Sequence, residues 1–117
     1  MSLAPTDEMA VRVDVAADGR TSVLTVYGEL DLSTAERLWP DLSRLLTAGA
    51  AVVLDGSALE FLDSSGLRVL LRGAKLAESA GTAFLVVAPH PVVQRVFDLA
   101  GVGDALDLRA SLAEALA

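Results

Sequence analysis

"AAVVLDGSALEFLDSSGLRVLL", residues 50–71, holds two apolar runs joined at a polar seam. The first run ends in Asp55-Gly56, the pattern of a strand covered on both faces. In the second, Leu67, Leu70, Leu71, Ala74 and Ala77 recur at helical spacing, with Arg68, Arg72 and Lys75 on the other side. Asp63-Ser64-Ser65-Gly66 forms the seam. Asp63 or Ser64 serves as an N-cap for a helix beginning near Ser65 and ending at Gly81. A buried strand feeding an amphipathic helix points to alternating α/β construction.

The flanks extend the pattern. "VRVDV" (11–15) alternates like a strand with one wet face, and Asp18-Gly19 is a turn signal before "TSVLTVYGEL" (21–30) resumes strand character. These two segments read as an antiparallel hairpin. Ser33 and Glu36 fit a capping box for a helix with Leu38, Leu42, Leu45 and Leu46 on one face. Pro40 should kink or restart that helix, and Gly49 should stop it. "AFLVVA" (83–88) reads as a buried strand, and a third helix runs from Pro91 to Gly101. "DALDL" (104–108) reads as an edge strand, and Ser111 with Glu114 opens a last helix. The expectation is an α/β fold: a mixed, mostly parallel sheet of about five strands, led by the hairpin, with about four helices. No repeat or linker divides the chain. Residues 1–9 read as a flexible tail and 10–117 as one domain.

Composition narrows the function. With 117 residues, 53% hydrophobic and 21% charged, the chain suits one folded domain with an aliphatic core. A net charge of −7 speaks against nucleic acid or an anionic membrane surface and leaves a basic protein partner open. The absence of cysteine excludes disulfides and thiolate metal sites and permits an intracellular setting. No signal peptide or membrane-length apolar run is present, so the expected location is the cytoplasm.

Catalytic equipment is missing. A serine nucleophile needs a base, and the one histidine, His90, stands between Pro89 and Pro91, where a loop or helix-cap role fits better. Neither a nucleophile elbow, a phosphate-binding loop, a dinucleotide fingerprint nor a metal-ligand spacing occurs, so no cofactor is expected. Arg68, Arg72 and Lys75 read as a solvated flank in preference to a docking face, and Trp39 as a partly buried packing residue. The seam stays open between two readings. One is a plain helix cap. The other is a switch, because a hydroxyl at a helix N-terminus lies where N–H groups and the dipole favour an added phosphate. Gly66 weakens the helix but lets something approach closely.

"LDGSALEFLDSSGLRVLL", "VYGELDLSTAERL" and "VVAPHPVVQRVFDLAGV" together resemble the STAS family, shared by sulfate transporters and bacterial anti-sigma factor antagonists. The resemblance spans about residues 10–117. It implies that Ser64 is a phosphoacceptor, that Asp31 is the acidic residue near it, and that Asp63, Ser65, Gly66 and Leu67 complete the motif. It further implies partner switching: the unmodified form binds an anti-sigma factor that is also a Ser/Thr kinase, phosphorylation of Ser64 releases it, and a phosphatase resets the cycle. The alternative is a non-switching accessory subunit of a membrane lipid transporter. A nucleotide-binding regulatory domain ranks below these, and a hydrolase using Ser64 ranks last.

Overall fold

The computed structural model describes residues 11–15 and 20–117. The expected tail over 1–9 and the Asp18-Gly19 turn lie outside the described residues, as do the side chains whose alternation marked residues 13–15. The elements are β1 (Val11–Val15), β2 (Thr21–Leu30), α1 (Leu32–Thr47), β3 (Ala51–Leu62), α2 (Ser64–Ala80), β4 (Phe84–Val87), α3 (Pro91–Ala100), β5 (Asp107–Arg109) and α4 (Leu112–Leu116). They build one sheet in the order β1-β2-β3-β4-β5, with β1 antiparallel to β2 and the other pairs parallel. Each parallel neighbour is reached by a helical crossover, as parallel pairing requires.

Strand alternation divides the core. Leu24, Val26, Leu54 and Val86 share a cluster with the buried residues of α1, α2 and α3. Val23, Val53 and Val87 form a second, smaller cluster against Leu112 and Ala115 of α4. In α1, Leu38, Leu42 and Leu46 are fully buried. Each contributes about 1.5–3 kcal/mol of burial energy, which outweighs the weak propensity of a helix interrupted by proline.

Several expectations need correction. First, α1 starts at Leu32, and its N-cap is Asp31 in place of Ser33. The Asp31 carboxylate accepts the Thr34 N–H at 3.1 Å and the Thr34 hydroxyl at 3.2 Å. Helix begins as soon as the β2 ladder ends, which pre-empts the capping box two residues later. Second, α1 runs unbroken through Pro40. Pro40 is exposed, and Glu36, whose carbonyl would have bonded to the missing N–H, lies on the exposed side of the helix, where water can serve that carbonyl.

Third, β3 does not stop at Asp55-Gly56 but continues to Leu62. Its pairing with β2 jumps from Thr25↔Asp55 to Tyr27↔Ala58, and again from Gly28↔Leu59 to Glu29↔Phe61. β3 therefore carries extra residues that the ladder absorbs as bulges. The Asp55 carboxylate accepts both the Ser57 N–H (3.1 Å) and the Ser57 hydroxyl (2.6 Å), so the turn chemistry of Asp-Gly-Ser is spent inside the strand.

Fourth, α2 is rotated from its expected face. Its buried line is Gly66, Val69, Leu70, Gly73 and Ala77, while Leu67, Leu71 and Ala74 are only partly buried. Two glycines on the inner line let α2 settle close to its neighbours, which moves Leu67 and Leu71 toward solvent. Fifth, the edge strand β5 covers only Asp107–Arg109, so Asp104, Ala105 and Leu106 of the expected 104–108 strand lie outside it. Gly81 and Gly101 close α2 and α3, His90 caps α3, and Ser111 caps α4.

A Cβ at Gly56 would lie 2.7 Å from the Val87 carbonyl oxygen, a backbone atom that cannot rotate away. Gly56→Ala should lower stability by about 1–3 kcal/mol, read as a lower urea midpoint at unchanged slope.

Candidate functional site

The site lies where β2 and β3 end. Leu30 pairs with Leu62 as the last partners of the parallel ladder, so the next residues, Asp31 and Asp63, leave the sheet side by side. Each caps the helix that follows. The Asp63 N–H donates to the Leu30 carbonyl at 3.3 Å, which ties the two strand-to-helix junctions together.

Gly66 completes this junction. It is buried, and a Cβ placed on it would come within 2.3 Å of the Leu30 carbonyl oxygen. The close approach that the sequence signalled at Gly66 is thus made by the protein's own backbone. No side chain fits there without pushing α2 away from β2.

Asp63 is the cap of α2. One carboxylate oxygen accepts the N–H groups of Ser65 (2.9 Å) and Gly66 (3.1 Å), and the Asp63 carbonyl accepts the Leu67 N–H at 2.9 Å. Three of the four first-turn donors, those of Ser65, Gly66 and Leu67, are therefore already engaged. Ser64 is the first residue of α2 and is exposed, Ser65 is half-buried, and Asp31 and Asp63 are half-buried. Leu67 is half-buried beside Ser64. The structure thus brings Asp31, Asp63, Ser64, Ser65 and Gly66 to one end of the sheet. It leaves the Ser64 hydroxyl as the group most open to a second protein.

The two serines face different surfaces. Ser65 borders a groove between α1 and α2 with Leu32, Trp39, Pro40 and Val69. Ser64 borders a shallow furrow with Leu67, Arg68, Leu71 and Lys75. Arg72 touches both, and its guanidinium stacks 4.0 Å from the centre of the Trp39 ring. The flank of α2 is thus more than a solvated face, since one of its cations binds α1 through a cation–π contact. Leu32 is 60% exposed at the rim of the groove. Sequence reasoning overlooked it, although a leucine in the first turn, off the line of Leu38, Leu42 and Leu46, was the available signal.

The Nδ1 of His90 accepts the Val92 N–H at 3.1 Å, the helix-cap role anticipated for it. Among the described residues, no group of three or more His, Asp or Glu side chains is arranged to hold a metal ion. Among the same residues, no helix is long and apolar enough to cross a membrane.

Removing the cap should cost what one N-terminal cap contributes. Asp63→Ala should lower stability by about 1 kcal/mol, whereas Asp63→Asn, an equally good cap, should lose only a few tenths, both measured by thermal unfolding.

Known proteins share this architecture. The chain is 36% identical over 110 residues to the anti-sigma-F factor antagonist RsfB of Mycobacterium tuberculosis, covering 92% of this chain and 88% of that one. Its fold superposes with a TM-score of 0.80 on an anti-sigma factor antagonist from Mycobacterium paratuberculosis, at 33% identity and over 91% and 89% of the two chains. The anti-sigma factor antagonist SpoIIAA matches in its unphosphorylated form, with a TM-score of 0.76 at 27% identity over 92% and 93% of the chains. The phosphorylated form of SpoIIAA, a Bacillus cell fate determinant, matches with a TM-score of 0.71 at 26% identity over 92% and 96%. Residues 12–115 match the STAS domain model, and the chain therefore belongs to the STAS domain family.

Proposed function

We propose that this chain is an anti-sigma factor antagonist that works by partner switching at Ser64. In this reading residues 10–117 act as one STAS domain in the cytoplasm. The unmodified protein holds an anti-sigma factor that is also a Ser/Thr kinase, and so frees a sigma factor. The kinase then transfers the γ-phosphoryl group of ATP to the Ser64 hydroxyl. The Oγ–P bond forms as the bond to ADP breaks, and the hydroxyl proton leaves to a base on the kinase. The nucleotide and its metal belong to the partner, and this chain needs no cofactor. A phosphatase restores the hydroxyl by hydrolysis.

The observation that carries this reading is the position of Ser64. It is an exposed hydroxyl at the first residue of α2, directly after the capping Asp63, which itself leaves the sheet beside Asp31. A hydroxyl needed only for capping has no task there, because Asp63 already engages Ser65 and Gly66. Two neighbouring carboxylates make the same place unfavourable for an added phosphate pressed against a partner. About two negative charges would be buried beside Asp31 and Asp63, where like charges cost several kcal/mol. Names of relatives support the same reading, since RsfB and SpoIIAA are anti-sigma factor antagonists and SpoIIAA has a phosphorylated form.

Incubation with the cognate anti-sigma kinase and ATP, followed by peptide mass spectrometry, tests the acceptor. Phosphate should map to Ser64 and disappear in Ser64→Ala. Ser64→Asp should bind the kinase at least about tenfold more weakly than the native protein in calorimetry. Modification at another residue, or equal binding by both forms, would overturn the reading.

A further inference from the structure

We propose that Arg68 is an internal anchor for a phosphate on Ser64, so that modification both adds charge at the site and withdraws a cation from the surrounding surface. This rests on Ser64 being the acceptor, and it concerns where the phosphate goes once attached.

A phosphate at the start of a helix ordinarily takes the free N–H groups of the first turn. Here those of Ser65, Gly66 and Leu67 are bound to Asp63. On the strand side stand the Asp63 and Asp31 carboxylates, which repel it. With three donors taken and two carboxylates behind it, the phosphate turns outward, along the exposed furrow that Ser64 shares with Arg68, Arg72 and Lys75.

Of these cations, geometry selects Arg68. It stands four residues after Ser64 on the same helix, so the two side chains are neighbours, with Cβ atoms about 5–6 Å apart. An acid preceding a base at this spacing is also the favourable order. Arg68 is exposed and has no hydrogen-bond or ion-pair partner among the described residues. Arg72 lies a further turn away, about 12 Å along the axis from Ser64, and its guanidinium is stacked on Trp39. Lys75 is about 16 Å away, beyond reach of the phosphate. A guanidinium also offers two parallel N–H donors to phosphate oxygens, which an ammonium cannot.

In the unmodified protein, Arg68 stays directed at solvent between the groove that holds Ser65 and the furrow that holds Ser64, and touches both. Once phosphate is present, the same side chain closes onto it. A partner that used the cation loses it at the moment it meets the new charge.

The test uses full-length protein with phosphoserine incorporated at position 64 during translation, which makes it independent of any kinase. The phosphate is titrated by phosphorus NMR at low salt. With Arg68 present, its second ionisation should fall about half a unit or more below that of the Arg68→Gln form. Lys75→Gln should leave the titration where it is. Glutamine keeps helix propensity at this exposed position, so both variants should fold. Equal titrations with and without Arg68, or a Lys75→Gln shift as large as that of Arg68→Gln, would overturn the anchor. A Ser64 that no kinase modifies would instead overturn the switching reading, without moving these titrations.

Discussion

The carbonyl of Leu30 is the point on which the functional end of this protein depends. It closes the last step of the β2–β3 ladder by accepting the Asp63 N–H, and Gly66 lies flat against it. A buried carbonyl left unpaired would be costly, and a side chain at position 66 would collide with it. These two demands hold the first turn of α2 against the end of β2. Asp31, which follows Leu30 directly, is placed next to Asp63 as a consequence. Both helices then begin at the same end of the sheet, each capped by its own aspartate.

This arrangement separates structure from chemistry within four residues. Asp63 and Gly66 are engaged inward, one by hydrogen bonds and the other by close packing. Ser64 is turned outward, with no capping duty. A residue that stabilises little could be modified without unfolding the domain, as the proposed switch requires. Further along the same helix, the glycines at 66 and 73 draw α2 inward and leave Leu67 and Leu71 half-exposed beside the cations of the flank. The surface around Ser64 is therefore both apolar and basic on a chain whose net charge is −7. Arg72 contributes to that surface from a fixed position, because stacking on Trp39 ties it to α1.

Much of this was legible in the chain. Element order, the hairpin leading into alternating units, a cap at Asp63 or Ser64 and the close-approach role of Gly66 all follow from local rules, and the structure settles the cap on Asp63. The errors share a physical origin. Pro40 and the Asp55-Gly56-Ser57 segment are genuine breakers, yet an exposed helix side and bulged pairing accommodate them. Ser33 is a good cap that was pre-empted by Asp31, because the sheet ended earlier than the capping pattern implied. Local signals state what a segment prefers when left alone. Pairing and burial decide whether that preference is used.

By itself the sequence determined where the polar seam lies: two hydroxyls beside an aspartate at a helix start, and a glycine that admits a close neighbour. Those properties belong to side chains and short spacings, which need no folded context. Only the tertiary structure decided what that neighbour is, which face of α2 is buried, and that Asp31 and Asp63 stand together. These depend on strand register and on the distance between backbones far apart in the chain, quantities that no local pattern encodes. The packing of Gly66 on Leu30 converts a motif into a site by fixing that distance.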